Sequence, residues 1–131
     1  MLASTDSYVG NINGIDFSTF LNNATFSIEA WVNGGVQTSG AGIVTCGYGS
    51  GGEQFNLDTG NGGRFRFSVR DAINAAHNAN GSMAPSNTWQ HVVGVCDEPN
   101  GATRLYINGV NNANAAISGG IQLGTSPISI S

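Results

Sequence analysis

Apolar residues recur along the chain in short runs broken by glycine and asparagine. Phe26 to Val32 reads FSIEAWV, dense in aromatic and β-branched residues, and predicts a strand. Gly42 to Cys46 is a shorter run of the same kind. Arg64 to Arg70, RFRFSVR, alternates strictly: Phe65, Phe67 and Val69 fall on one side, and Arg64, Arg66, Ser68 and Arg70 on the other. Such a strand is half-buried in an antiparallel sheet. With Phe55 to Asp58 it flanks a glycine-rich turn, so the two are expected to form a hairpin. Trp89 to Cys96 and Thr103 to Ile107 should pair around the turn Asp97 to Gly101, and Ile121 to Leu123 and Pro127 to Ile130 predict short late strands. Asp71 to Asn80, DAINAAHNAN, lacks the apolar face of a helix and reads as a strand end followed by a loop. The core expected from these patterns holds Phe26, Ile28, Trp31, Val44, Phe55, Leu57, Phe65, Phe67, Val69, Trp89, Val93, Val95, Leu105 and Ile107.

Six Asn-Gly pairs punctuate the runs, at Asn13, Asn33, Asn61, Asn80, Asn100 and Asn108. Both residues tolerate positive φ, which makes the pair the strongest short hairpin signal. Gly, Asn, Ser and Thr together supply 58 of the 131 residues, which disfavours long helices. Many short strands at this spacing predict one all-β domain over residues 1–131, an antiparallel β-sandwich of the jelly-roll type.

Charge narrows the field of partners. Only 9% of residues are charged, lysine is missing, and Arg64, Arg66, Arg70 and Arg104 stand against eight acids, for a formal net charge of −4. No basic field exists to bind nucleic acid or an anionic bilayer surface. No run of 18 apolar residues predicts membrane insertion. Low charge and a composition rich in Asn, Gly and Thr suit an extracellular or cell-surface domain, although Met1 to Ser4 carries no export-signal pattern. Two sequons, Asn23-Ala24-Thr25 and Asn80-Gly81-Ser82, are expected by chance in so asparagine-rich a chain.

Four segments together carry a family likeness: DSYV (Asp6 to Val9), FSIEAWV (Phe26 to Val32), WQHVVGVCD (Trp89 to Asp97) and RLYINGV (Arg104 to Val110). In sequence and spacing they resemble the laminin-G-like, concanavalin-A-like jelly roll of the bacterial kind, from about Asp6 to Ile130. The resemblance implies that FSIEAWV pairs with WQHVVGV, so that Glu29, Trp31, His91, Val93 and Val95 share one face. It also implies that Cys46 and Cys96 lie on strands that are not neighbours, and both are expected to be free thiols. The family's glycine-rich final strand is missing before Ser131, and the first strand is abbreviated. The chain is therefore expected to be a fragment of a larger protein, or a minimal fold whose open edge another chain covers. A homodimer through edge strands near the termini is the simplest form of the second; direct pairing of the DSYV segment with Pro127 to Ile130 is the competing one.

The resemblance frames the chemistry. Concanavalin-A-like glucanases carry their acids as E-x-D-x-x-E on one strand, and no such constellation follows Glu29. Glycoside hydrolase is therefore the minority alternative, and the chain is expected not to be an enzyme. Glu29 and His91 are read as a structural hydrogen-bonded pair, with the carboxylate buried, in preference to acid–base work, since no second acid or nucleophile joins them. The cysteines and histidines lack zinc spacing. No cofactor is required. Calcium is the one metal to weigh, since pentraxins of this superfamily bind it in the loop that here carries Glu53 and Gln54; an ordinary solvated turn is the competing reading of that loop. Tyr48 is expected as an exposed aromatic platform. Asn56, Asp58, Arg64, Arg66 and Arg70 form a polar face for sugar hydroxyls or an acidic glycan, or else a solvated face with ion pairs such as Asp58 with Arg64 or Arg66. The function expected is non-catalytic recognition of a carbohydrate or glycoprotein. A structural or adhesion domain with a protein partner is the further alternative.

Overall fold

The computed structural model describes residues 9–11, 23–47, 52–123 and 126–131. Among the described residues, ten strands form two antiparallel sheets packed face to face. They are β1 (Val9–Asn11), β2 (Thr25–Val32), β3 (Gly42–Cys46), β4 (Phe55–Thr59), β5 (Phe65–Arg70), β6 (Ala76–Asn80), β7 (Gln90–Asp97), β8 (Ala102–Ile107), β9 (Val110–Ala116) and β10 (Ile128–Ile130). The six-stranded sheet runs β1-β10-β3-β4-β5-β6, and the four-stranded sheet runs β2-β7-β8-β9. This is the expected all-β sandwich, and the two expected hairpins form, β4 with β5 and β7 with β8.

The core lies between the sheets. Phe55, Leu57, Phe65, Phe67 and Val69 enter from the six-stranded sheet and meet Val92, Cys96, Leu105 and Ile107 of the other. Phe26 of β2 bridges the two, its ring centroid 5.4 Å from that of Phe55 and 6.3 Å from that of Phe67. Gly94 of β7 sits directly under the Phe67 ring, where a Cβ would come within 2.2 Å of the ring carbon Cδ2. The absence of a side chain at Gly94 lets the sheets close over this aromatic.

Four residues expected in the core lie outside it. Trp31 and Trp89 are 66% and 64% exposed, and Val93 and Val95 are half-buried on the outward face. The reason is strand parity. Along β2 the inward set is Phe26, Ile28, Ala30 and Val32, and along β7 it is Gln90, Val92, Gly94 and Cys96. Glu29 and Trp31 share one parity, so the strand cannot bury the tryptophan without burying the carboxylate.

The segment Asp71 to Asn80 holds a complete strand, β6, because Asp71 takes up the turn: its Oδ1 accepts from the N–H groups of Ile73 and Ala75. β9, seven residues of VNNANAA, is a full strand with little apolar content, reached through the turn at Asn108 and Gly109 with φ of 51° and 79°. Ile121 to Leu123 forms no strand, although Ile121 is buried in the core.

The edge expected to lie open near the termini is occupied, beside β3, from within the chain. β10 pairs on one side with β1, Val9 opposite Ile130, and on the other with β3, Ile128 opposite Cys46. Of the expected pairing between the DSYV segment and Pro127 to Ile130, the described part is Val9 opposite Ile130, and the ladder continues through Gly10 and Asn11. The expected strand Asp6 to Tyr8 lies outside the described residues.

Candidate functional site

The polar face predicted for the β4–β5 hairpin forms on the outer side of the six-stranded sheet. Register aligns Ser129, Thr45, Asn56, Ser68 and Asn78 in one row across five strands. Beside it Asp58 faces Arg66, and the guanidinium donates to both carboxylate oxygens, Nε to Oδ1 at 2.9 Å and Nη2 to Oδ2 at 2.6 Å. This bond to Asp58 holds the Arg66 pKa above its ordinary value. Arg70 donates to Glu53 at 3.3 Å and to the Asn74 carbonyl. Asn56 is 9% exposed and its Oδ1 has no hydrogen-bond partner. The hairpin residues are thus brought together, but largely for one another. Arg64 stands apart, exposed at the start of β5. Tyr48 lies outside the described residues.

Glu53 and Gln54 do not fit a calcium site in this arrangement. Gln54 is 1% exposed, its Oε1 accepts from the Cys46 thiol, and its amide donates to the Gln122 carbonyl. Glu53 is the partner of Arg70. Among the described residues no three His, Cys, Asp or Glu side chains group as metal ligands.

A second surface, missed from the sequence because its aromatics were placed in the core, lies on the outer face of the four-stranded sheet. Register puts Trp31 opposite His91, and Glu29 opposite Val93, which faces Tyr106 and then Asn111. The Trp31 indole stacks on the His91 imidazole with centroids 4.9 Å apart and planes at 27°. His91 Nε2 lies 3.0 Å from the Glu29 carboxylate, and the His91 backbone N–H donates to Asn108 Oδ1 in the β8–β9 turn. The expected Glu29–His91 pair is therefore present, but its carboxylate side chain is 72% exposed rather than buried. Trp89 precedes β7 and continues the alternation, exposed where Gln90 is buried. Two exposed tryptophans thus lie on one face, and the first stacks on a histidine whose ring meets a carboxylate and whose backbone N–H is held by a turn amide. Conformational fixing of this kind lowers the entropy lost when a ligand stacks on the ring.

This fold and this face can be set beside known proteins. A family model described as the Concanavalin A-like lectin/glucanases superfamily, of the laminin G type, matches residues 6–131. The chain belongs to this superfamily. Curated proteins offer the laminin-G-like chain no significant match. Among solved structures it resembles the binding domain of Paraclostridial Mosquitocidal Protein 1, with a TM-score of 0.64 and 18% identity. The alignment covers 88% of the laminin-G-like chain and 30% of that chain, and at this identity the likeness concerns the fold.

A further buried carboxylate of the laminin-G-like domain binds backbone N–H groups. Glu98 is 7% exposed; one carboxylate oxygen accepts from the Ala24 N–H and the other from the Gly120 N–H. It therefore ties the approach to β2 to the loop after β9. Cys46 and Cys96 are both fully buried and unbridged, one in each sheet. Burial pushes the Cys96 thiol up to about 12, so it is no nucleophile at neutral pH.

Proposed function

We propose that the chain is a non-catalytic recognition module that binds carbohydrate across the outer face of its four-stranded sheet. The observation that carries this reading is the pair Trp31 and Trp89, each about two-thirds exposed, on one face at the end of the sheet where β2 stops and β7 starts. An indole has the flat apolar area that the C–H face of a pyranose covers. Glu29, His91, Asn108 and Tyr106 around it supply donors and acceptors for the ring hydroxyls. The low charge of the chain suits a ligand that is mostly hydroxyl groups. A location outside the cell, where polysaccharides and glycoproteins are met, belongs to the same proposal.

Catalysis has little support. Hydrolysis of a glycoside uses two carboxyls between about 5 and 9.5 Å apart. On this face Glu29 is opposite Val93, and Asp97 lies four residues further along β7, about 13 Å away at 3.3 Å per residue. Asp97 is moreover held by Arg104 and Asn100.

The test is affinity electrophoresis against a panel of soluble polysaccharides, with tryptophan fluorescence as the second readout. A retarding polysaccharide should also perturb the emission, and Trp31→Ala and Trp89→Ala should each weaken retardation about tenfold. Retention that survives both substitutions would move the site elsewhere, and a panel without any retardation would favour a protein ligand.

A further inference from the structure

The four cations of the chain are not equivalent. Arg66, Arg70 and Arg104 each pair with a carboxylate, Asp58, Glu53 and Asp97 respectively. Among the described residues Arg64 alone has no acidic partner and no side-chain hydrogen bond. It lines a cavity of about 300 Å³, together with Asn61, Asn80, Phe65, Gly60 and Gly81. That volume is at the lower end of ligand pockets and is roomy enough for one sugar residue.

The walls of the cavity are formed in a way that excludes larger side chains. A Cβ at Gly60 would come within 3.0 Å of the Arg66 side chain, and one at Gly81 within 2.7 Å of the Phe65 carbonyl oxygen. The Arg66–Asp58 pair therefore sits behind the Gly60 wall, and the acid nearest the cavity by register is already neutralised. Glu53, Asp71, Asp97 and Glu98 flank the opposite ends of the strands. Asn61 and Asn80 line the cavity with Arg64, and among the described residues the Asn80 amide donates only to the Asn78 carbonyl, at a long 3.5 Å. A cation with two primary amides and no counter-charge beside it among the described residues is a receptor for a carboxylate.

The place of the cavity in the fold gives the ligand its class. β4 ends and β5 begins at the cavity, β6 ends there, and the segment from Gly81 to Trp89 leads from it to the tryptophan face. Within that segment Asn87 N–H bonds to Gly34, just beyond the end of β2 that carries Trp31. Cavity and tryptophans thus share one end of the sandwich. We infer that the cavity at Arg64 is a carboxylate subsite, so that the carbohydrate recognised is acidic, with a uronic acid residue seated against Arg64, Asn61 and Asn80. The identity of the ligand as a sugar rests on the proposed function; the anion selectivity of the cavity does not.

The experiment compares glucuronate and galacturonate with their methyl esters, in which a methyl group removes the charge of the carboxylate. Binding is followed in ¹⁵N-labelled protein through the Arg64 Nε–H and the Asn61 and Asn80 side-chain amides. The free acids should shift these resonances and bind at least fivefold tighter than the esters. Arg64→Gln should abolish the preference, and 0.5 M salt should reduce it. Equal binding of acid and ester, absence of shifts with both acids, or a preference that survives Arg64→Gln would overturn the inference. Neutral oligosaccharides tested on Trp31→Ala report separately. If they bind through Trp31 while the acids show no preference for Arg64, the subsite falls and the tryptophan face stands; the reverse pattern leaves the subsite and removes the face.

Discussion

At the scale of single residues the outcome turns on what each polar group is satisfied by. Glu29 and Glu98 are both glutamates with identifiable partners, yet they differ in exposure, and exposure sets their energetic weight. The Glu29 carboxylate meets His91 in solvent, where an ion pair contributes under about 1 kcal/mol. Glu29→Ala is therefore expected to leave the denaturant midpoint almost unchanged. Glu98→Ala removes the acceptor for two buried backbone N–H groups and should cost about 2–4 kcal/mol. Urea unfolding of the two variants checks the contrast; equal losses would contradict this assignment of roles. The Glu29–His91 contact was legible in the sequence because the motif spacing sets the register of β2 on β7. Its exposure was not, since a glutamate between Ile28 and Trp31 looks enclosed until parity is known. Glu98, in a turn beside a proline, gave no signal at all: its partners are 74 and 22 residues away.

Acid should act through two other carboxylates. Burial pushes the Asp71 carboxyl up, but the hydrogen bonds from His77 and from the Ala75 and Ile73 N–H groups outweigh it, and its pKa lies below the ordinary 3.8. The bonds from Arg104 and Asn100 lower Asp97 in the same direction. A carboxyl whose folded pKa is depressed stabilises the fold above its unfolded value and loses that contribution as pH falls through the folded one. Stability should hold down to about pH 4 and decline below it. Asp71→Asn and Asp97→Asn should each flatten the decline. An acid limb identical to that of the unaltered protein would show that neither carboxyl contributes.

At the scale of elements, alternation identified the strands whose two faces differ most. In β5 every inward residue is Phe or Val and every outward one Arg or Ser, and the structure follows that division. β2 is harder because large apolar residues occur on both parities. There the deciding residue lies on the other strand: Gly94 makes the inward column of β7 concave where Phe67 enters. Gly94→Ala is accordingly expected to cost about 1–3 kcal/mol by forcing the ring aside, measured as a shift in the urea midpoint without a change in slope. A neutral outcome would mean that the sheets can separate locally. β6 and β9 escaped notice because asparagine and alanine are poor strand formers. What makes them strands is tertiary: each adds to a sheet whose neighbouring strand needs a partner, and His77 links the two, one ring nitrogen 2.8 Å from the Ala116 carbonyl and the other 3.0 Å from Asp71.

At the scale of the whole molecule, the question raised by the terminal segments is which chain supplies the ladder beside β3. An isolated edge there would expose N–H and C=O groups next to Val44, which packs against the core, and would invite a second copy to pair. β10 removes that need. Its three residues bond to β1 on one side and to β3 on the other, and the Ser131 N–H continues the contact to the Ile43 carbonyl. A strand of three residues carries few hydrogen bonds, so its hold depends on Ile128 packing against the core and on its position between two neighbours. The consequence is concentration independence. Amides of the β10 ladder should be protected from hydrogen exchange to the same degree at low and high micromolar protein, with sedimentation showing no shift in mass. If protection at Ile128 to Ile130 and in β3 instead rose with concentration, in step with a dimer fraction, the ladder would be intermolecular. A copy of the chain, rather than its own terminal segment, would then complete the sheet.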